Sequence, residues 1–374
     1  MKPKTDLPGN IVFRPYEDRD EEQIIELFKK VFRKTMGPSE SHNHWEWEYK
    51  KNPTNILTLI LGWDDKRLVG QYAALPNRII TNGKIRTGAL SLDSMTDPDY
   101  SGRGVFTNAG KTLYSCLSKK KISFVYGFPN ANVIYARTNK LDWKIISKQI
   151  PIYIRPLQIT PIFKNVIKVE LLGNILSILE QQCIKISEKW ASEIRKNRNV
   201  IIVRRENAFG TWANDLWHKC KNQHKIWLIR DLEYLEWRYN ARPESEYHIY
   251  TAWHKNEISG YMVSTEQSVG GHKVTFILDL LANKKVEGAC DALLRKSISD
   301  ARSNGSSMLC SILMPNSAYR IRFIKHLFIV VPRVLLPQKT FFGGRLICRD
   351  KDLKTSTFFD PNSWQITWGD TDLL

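Results

Sequence analysis

Acidic side chains are scarce in this sequence: 38 Asp and Glu face 56 Lys and Arg, for a formal net charge of +18. Such an imbalance suits nucleic acid, an anionic membrane surface or a polyphosphate ligand, and charge alone does not choose among them. The basic residues are dispersed, with local density only over 119–121 and 195–205, so most of them read as solvated surface. Long apolar runs are missing as well. The longest, such as 171–179, fall well short of the roughly 20 residues that cross a bilayer as a helix. Residues 1–10 are polar and carry no apolar segment of the kind a signal peptide needs. The six cysteines (Cys116, Cys183, Cys220, Cys290, Cys310 and Cys348) include no C-x-x-C pair. The expectation is a soluble, cytoplasmic protein with reduced thiols and no metal site.

What the chain does have is length and an internal repeat. Its 374 residues, 42% hydrophobic and 25% charged, suit two globular domains, each able to bury its own core. Trp47, Tyr49 and Pro53 recur as Trp237, Tyr239 and Pro243 in the pattern W-x-Y-x-x-x-P. The offset of 190 (Trp47 to Trp237) also carries Trp63 onto Trp253 and Gly70 onto Gly260. Beyond that point it becomes 186: Asp93 pairs with Asp279, Gly102 with Gly288, Asn130 with Asn316 and Leu141 with Leu327. The change falls where Asn82-Gly83 and Gly270-Gly271 signal hairpin turns. Two copies of one fold would differ in this way.

Each copy reads in the same order. In the first, a strand over 11–14 precedes a helix over 21–32 and a short aromatic helix over 45–51. Strands follow at 56–63, 68–75 and 89–96, then a helix at 105–119, a strand at 123–127 and a helix from 130. The second copy opens with a strand at 200–203. A meander followed by β-α-β-α predicts an α/β (α+β) fold, with two mixed, mostly antiparallel sheets flanked by helices. The expected organisation is a first domain over 1–160, a helical connector over 161–198 and a second domain over 199–374.

The most informative segment is Asp97-Pro98-Asp99-Tyr100-Ser101-Gly102-Arg103-Gly104-Val105-Phe106. A strand ends, two glycines stand one residue apart, and a helix begins. Such a turn gathers backbone N–H groups at a helix N-terminus, where a phosphate can sit, and glycine keeps side chains from blocking its approach. This loop resembles the R/Q-x-x-G-x-G/A diphosphate loop of the GNAT acyltransferase superfamily, with Ser101 and Phe106 departing from the pattern at its two ends. Phe124-Val125-Tyr126-Gly127-Phe128-Pro129-Asn130 and Lys140-Leu141-Asp142-Trp143 are similar to that superfamily's fifth strand and to the close of its fourth helix. With the repeat, the resemblance spans most of the chain outside the connector.

The resemblance implies a tandem pair of GNAT-like domains that uses acetyl-CoA to acetylate a small amine, such as an amino sugar or its nucleotide-linked form. Amides from Arg103 through Gly104 and Val105 to Phe106, with Ser101 and Gly102 beside them, would hold the pyrophosphate. A backbone N–H of Met95 or Thr96 would face the thioester, and Asn130 or Asn132 the pantetheine arm, although Asn130 reads equally as a helix cap. Asp93 is the candidate base, with the carboxylate at the chain's terminus as an alternative. Asp279, at the same position in the second copy, makes a structural role for Asp93 an open alternative. The family's usual tyrosine acid falls at Thr138, which leaves Tyr135 as the candidate acid. In the second copy Gly104 falls opposite Cys290, and Glu287 and Asp291 flank the loop, so this copy is expected to shape the acceptor site and bind no cofactor. The rival reading is an aminoacyl transferase of the Fem type, which takes its acyl group from tRNA and would suit the positive charge; a non-catalytic binding module is a third.

Overall fold

The computed structural model describes residues 11–32, 41–158, 200–243, 245–336, 340–348 and 350–373. The connector expected over 161–198 and the terminal carboxylate of Leu374 lie outside the described residues. In the first half, β1 (Val12–Pro15) leads into α1 (Glu21–Phe32). Ile24 and Leu27 bury the inner face of α1, while Glu21 and Glu22 open the helix and Lys29 and Lys30 close it, each charge suited to its end of the helix dipole. A short helix, α2 (His42–Trp45), widens into a π turn over Glu46–Lys50. Next come β2 (Leu59–Asp64), β3 (Arg67–Thr81), β4 (Lys84–Thr96), α3 (Val105–Lys119), β5 (Phe124–Gly127), α4 (Ala131–Lys140), β6 (Lys144–Ser147) and β7 (Ile152–Pro156). The second half contains β8 (Ile201–Glu206), α5 (Trp212–Cys220), β9 (Ile226–Leu228) and α6 (Leu232–Leu235), which widens at Glu236–Asn240. It continues with β10 (His248–His254), β11 (Glu257–Val269), β12 (His272–Ala282), α7 (Ala289–Ser303) and β13 (Met308–Ile312). Last are α8 (Arg320–Lys325), β14 (Ile329–Val330), β15 (Phe342–Leu346) and α9 (Thr355–Phe358).

The hairpins fall where the dipeptides predicted them. Asn82 and Gly83 have φ of 50° and 79°, and Gly270 and Gly271 have 57° and 78°, the paired positive φ that a two-residue hairpin turn requires. The fold class is as expected: two mixed, mostly antiparallel sheets flanked by helices. Among the described residues, no helix is long and apolar enough to cross a membrane.

The first sheet runs β1-β2-β3-β4-β5-β15-β6, and the second β14-β7-β13-β12-β11-β10-β8. Read from opposite ends, the two orders are the same, with β5 parallel to β4 and β13 parallel to β12. The slot between the last two strands is filled from the other half in both cases. β15, late in the chain, pairs with β5 and β6; β7, from the first half, pairs with β13 and β14. The sequence reading put residues 152–156 in the first domain, yet their strand is hydrogen-bonded into the second sheet. A repeat in sequence does not disclose this, because a slot framed by two strands accepts the matching strand of either copy.

A second reciprocal contact joins the halves. Trp47 and Trp237, the repeat-related tryptophans, stack with ring centroids 5.2 Å apart and planes inclined by 16°. Trp47 Nε1 donates to the Trp237 carbonyl at 2.6 Å, and Trp237 Nε1 donates to the Trp47 carbonyl at 2.9 Å. One apolar cluster takes in both rings together with Tyr126, Phe342 and Trp364. After β15 the chain returns along this cluster, where Gln365 donates to the Ile226 carbonyl, and delivers its last residues between the halves.

Because each sheet lacks an interior strand without the other half, the whole chain should unfold in a single calorimetric transition. A protein ending at residue 160 should fail to fold, as it would expose an empty slot beside β5. Trp47→Ala should destabilise the chain by about 3 kcal/mol or more. Two separate transitions would contradict the exchange.

Candidate functional site

The loop between β4 and α3 is fastened by a compact charge network. Asp97, 2% exposed, takes Lys30 Nζ and Arg67 Nη2, each at 2.7 Å, and Asp99 takes the same two cations at 2.8 Å each. Burial raises the Asp97 pKa, but the Lys30 and Arg67 hydrogen bonds outweigh it and hold the carboxyl below its usual value. The same two cations depress Asp99. The Tyr100 hydroxyl donates to Asp64 at 2.6 Å, and the Arg103 guanidinium lies 4.9 Å from the Tyr100 ring centroid.

Gly102 and Gly104 have φ of 76° and 79°. A Cβ on Gly102 would meet nothing within 4 Å, and one on Gly104 would meet only Asn108 Nδ2 at 3.4 Å. The glycines are therefore required by backbone conformation, and the space over them is open. Gly104 caps α3 without a side-chain hydrogen bond, so the amides of the first helical turn, Val105 and Phe106 among them, have no carbonyl one turn back to bond. The Arg103 amide departs from expectation: it donates within the turn, to Tyr100 O at 3.3 Å. Phe106, large for its place, rests its ring on Tyr72 with centroids 5.0 Å apart.

β4 separates from β5 just upstream of this loop. Their parallel ladder covers only Gly88 to Leu90 against Phe124 to Tyr126. The β3–β4 register then shifts between Gln71 and Ala73, opposite Asp93, whose φ of 41° marks the bulge. Met95 and Thr96 lie beyond it, still paired with Gln71 and Gly70 of β3.

Beside the gap lies a cavity of about 1000 Å³ walled by both halves, Glu48, Asp93, Asn130, Arg137, Trp237 and Asp372 among its lining. The Tyr49 hydroxyl donates to Asp93 Oδ2 at 2.8 Å, and Gln71 Nε2 holds the Asp93 carbonyl at 3.0 Å. Burial raises the Asp93 pKa against the pull of its hydrogen bonds from Tyr49 and Glu48. Burial and the neighbouring Asp93 charge raise Glu48 well above its ordinary value. Asp372 presents surface to the cavity, yet the surrounding protein and the Asp93 charge push its pKa up to about 6. Neither Glu48 nor Asp372 was singled out in the sequence. The available signal was the broken repeat: Glu48 stands opposite Arg238, between the matched pairs Trp47–Trp237 and Tyr49–Tyr239.

Other candidates lie elsewhere or are engaged. Tyr135 is 68% exposed; Val133 and Arg137, two residues to either side of it on α4, face the cavity, so Tyr135 projects from the opposite side of the helix. The Thr138 hydroxyl donates to the Ile134 carbonyl at 2.9 Å. Asn130 lines the cavity, but its Oδ1 caps α4 by accepting from the Asn132 and Val133 amides at 3.0 and 3.3 Å. His44 is buried, its pKa lowered to about 4 by desolvation and by Arg242 and Arg238. Among the described residues no cluster of His, Cys, Asp and Glu could hold a metal ion.

The second copy differs from its sequence reading. α3 and α7 each have 15 residues, and each is capped by a glycine of positive φ, Gly104 and Gly288. The counterpart of Gly104 is thus Gly288, and Cys290 lies within the first turn of α7. The loop from 283 to 288 is two residues shorter than that from 97 to 104 (six against eight). Asp291 is 2% exposed and paired with Arg322 at 3.0 Å and His326 at 3.1 Å, so it does not guard the loop as an unpaired charge. Within the loop, the Lys284 amide already donates to Gln223 Oε1 and the Lys285 amide to Asn283 Oδ1, both at 3.0 Å. Asp279 is tied into the fold by Arg230 at 3.0 Å and the Tyr261 hydroxyl at 2.8 Å, and Arg230 also binds Asp370 at 2.7 Å.

Residues 12–145 match the family described as "Acetyltransferase (GNAT) domain". Curated protein sequences yielded no match. Among solved structures, a GCN5-related N-acetyltransferase from Anabaena variabilis ATCC 29413 superposes with a TM-score of 0.61 at 12% identity, over 91% of this chain and 73% of that one. A probable N-acyltransferase from Enterococcus faecalis V583 gives 0.61 at 12% identity, over 90% and 73%. A GCN5-related N-acetyltransferase from Kribbella flavida gives 0.57 at 13% identity, over 90% and 71%. The likeness in fold therefore extends over both sheets.

The Asp372 shift has a consequence for stability. Its folded pKa is raised, so the native state binds the extra proton between the unfolded value and about 6. The resulting stabilisation is complete below the unfolded pKa and is lost as pH rises through about 6. Asp372→Asn should accordingly melt higher than the parent at pH 7, and the gap should close below pH ~4, near the unfolded aspartate value. A pH-independent difference in melting temperature would refute this assignment.

Proposed function

We propose that this chain, whose residues 12–145 form a GNAT domain, is an acetyl-CoA-dependent N-acetyltransferase for a small amine. The observation that carries the reading is an alignment along one strand: β4 ends in an open amide loop, parts from β5, and presents Asp93 to a cavity of about 1000 Å³. Within the open loop, the Gly104, Val105 and Phe106 amides would hold the pyrophosphate, flanked by Ser101, Gly102 and the Arg103 side chain. Bound there, the coenzyme supplies an acyl group activated as a thioester. Met95 and Thr96, at the parted edge, are the backbone candidates to face it.

On the acceptor side, Glu48, Asp93 and Asp372 line the cavity together with Arg137, Arg238 and Arg242. The amine must shed a proton before it attacks, and a carboxyl raised toward neutrality is better matched to that transfer than an ordinary one. Asp93 is our candidate base, with Tyr49 fixing its orientation and Glu48 sharing its proton. The second half is read as a GNAT-like unit that completes the acceptor site through Trp237 and Asp372, without a cofactor of its own. Amino sugars and their nucleotide-linked forms are suitable acceptors, the latter matching the chain's excess positive charge. That same charge favours the rival reading, transfer of an aminoacyl group from tRNA.

Calorimetry should find one acetyl-CoA site per chain. Gly104→Glu, which puts both a side chain and a negative charge at a φ of 79°, should weaken it by about 100-fold or more. Asp93→Asn should lower kcat by about 100-fold while leaving acetyl-CoA affinity nearly unchanged. Two equivalent sites per chain would defeat the asymmetry. No heat with acetyl-CoA, together with a salt-sensitive shift of tRNA in a gel, would replace this reading with the aminoacyl-transfer one.

A further inference from the structure

Arg137 is a buried cation that the fold does not fully use. It is 4% exposed, and it sits on the cavity wall where β4 and β5 part. Nη2 donates to Ser91 Oγ at 3.0 Å, one residue beyond the end of the β4–β5 ladder. Nε and Nη1 find no hydrogen-bond partner among the described residues. The guanidinium lies 4.5 Å from the Trp143 ring centroid. Gly127, the last residue of β5, makes room for it: a Cβ there would stand 2.9 Å from the Ser91 carbonyl and 3.2 Å from Arg137 Nη1. A guanidinium left with two unanswered N–H groups in a buried position is costly, and such groups are commonly completed by a ligand.

We propose that Arg137 faces the sulfur of the bound thioester and stabilises the thiolate as it leaves. This rests on the acyl-transfer reading above. In the step, the acceptor nitrogen bonds to the acyl carbon, the carbon–sulfur bond breaks with its electron pair going to sulfur, and the nitrogen's proton passes to the Asp93–Glu48 pair. Arg137 contributes charge and hydrogen bonds but no proton, since a guanidinium does not deprotonate in a protein. It thereby fills the place of a proton-donating side chain. Tyr135 projects into solvent, and the Thr138 hydroxyl is committed to the Ile134 carbonyl.

The test uses the full chain and free coenzyme A, whose thiolate is visible by ultraviolet absorbance. Among titratable groups, Asp372, Tyr72 on β3 and Tyr114 on α3 lie nearest the guanidinium, and Asp93, Glu48, Arg238 and Arg242 line the same cavity. The carboxylates would suppress thiolate, and Arg238 and Arg242 remain when position 137 is changed, so an enrichment that is lost in Arg137→Gln points to Arg137. Bound coenzyme A should carry about tenfold more thiolate at pH 7 than free thiol, whose reference pKa is about 8.5. Arg137→Gln should abolish that enrichment, and Arg137→Lys should restore part of it. With acetyl-CoA, Arg137→Gln should lower kcat by about 100-fold with little change in KM. The deficit should shrink with an acyl donor whose thiol is more acidic, such as an aryl thioester. Its melting temperature should not fall, because the substitution removes an incompletely paired buried charge. Normal thiolate content in the bound wild-type complex would overturn the proposal while leaving acyl transfer intact. An equal deficit with both donors and a lower melting temperature would reduce Arg137 to a structural residue. Failure of coenzyme A to bind the wild type would remove the acyl-transfer reading itself.

Discussion

The structure depends on the reciprocal contact between Trp47 and Trp237. Each indole N–H bonds the other residue's carbonyl, and the rings stack face to face in a shared core. Two buried indoles that satisfy each other leave neither ring N–H without a partner. The aromatic helices that carry them are thereby held against one another, with their flanking residues directed toward the space between the sheets. Glu48 and Tyr49 follow Trp47, and Arg238 and Tyr239 follow Trp237. The cavity is thus built from the neighbours of the contact that joins the halves.

Strand exchange reinforces this arrangement. β7 and β15 each complete the sheet of the opposite half, so the orientation of the two sheets is fixed by backbone ladders as well as by packing. A site walled by both halves requires such rigidity, because carboxyls whose pKa values depend on one another must keep their distances. Arg238 contributes by holding the chain's last residues, its Nε donating to the Gly369 carbonyl at 2.9 Å. Those residues place Asp372 on the cavity wall.

The two halves share a strand order but differ at the equivalent loop and carboxylate. In the first, the amides at the start of α3 are open, and burial raises the Asp93 pKa against its hydrogen bonds from Tyr49 and Glu48. In the second, the loop is two residues shorter, its Lys284 amide is held by Gln223, and Asp279 is held by Arg230. A salt-bridged carboxylate supports the fold; a carboxyl crowded by its own kind is held ready for a proton. The same backbone position thus carries a strut in one half and a candidate base in the other.

The sequence by itself determined the repeat whose strand order the two sheets share, the hairpins at Asn82-Gly83 and Gly270-Gly271, and the strand-to-helix loop before α3. Each of these is written in local signals: residue periodicity, glycines that permit positive φ, and the spacing of a repeat. Tertiary structure alone decided which copy's strand fills each slot, since the contacts that choose lie far apart in the chain. It also decided that Tyr135 faces outward and Arg137 inward, a matter of how α4 is rotated against β4. The grouping of Glu48, Asp93 and Asp372 arises where three distant segments meet, and the neutralisation of Asp291 depends on α8. Charge in a sequence is a count; its chemistry depends on which partners the fold brings within hydrogen-bonding distance.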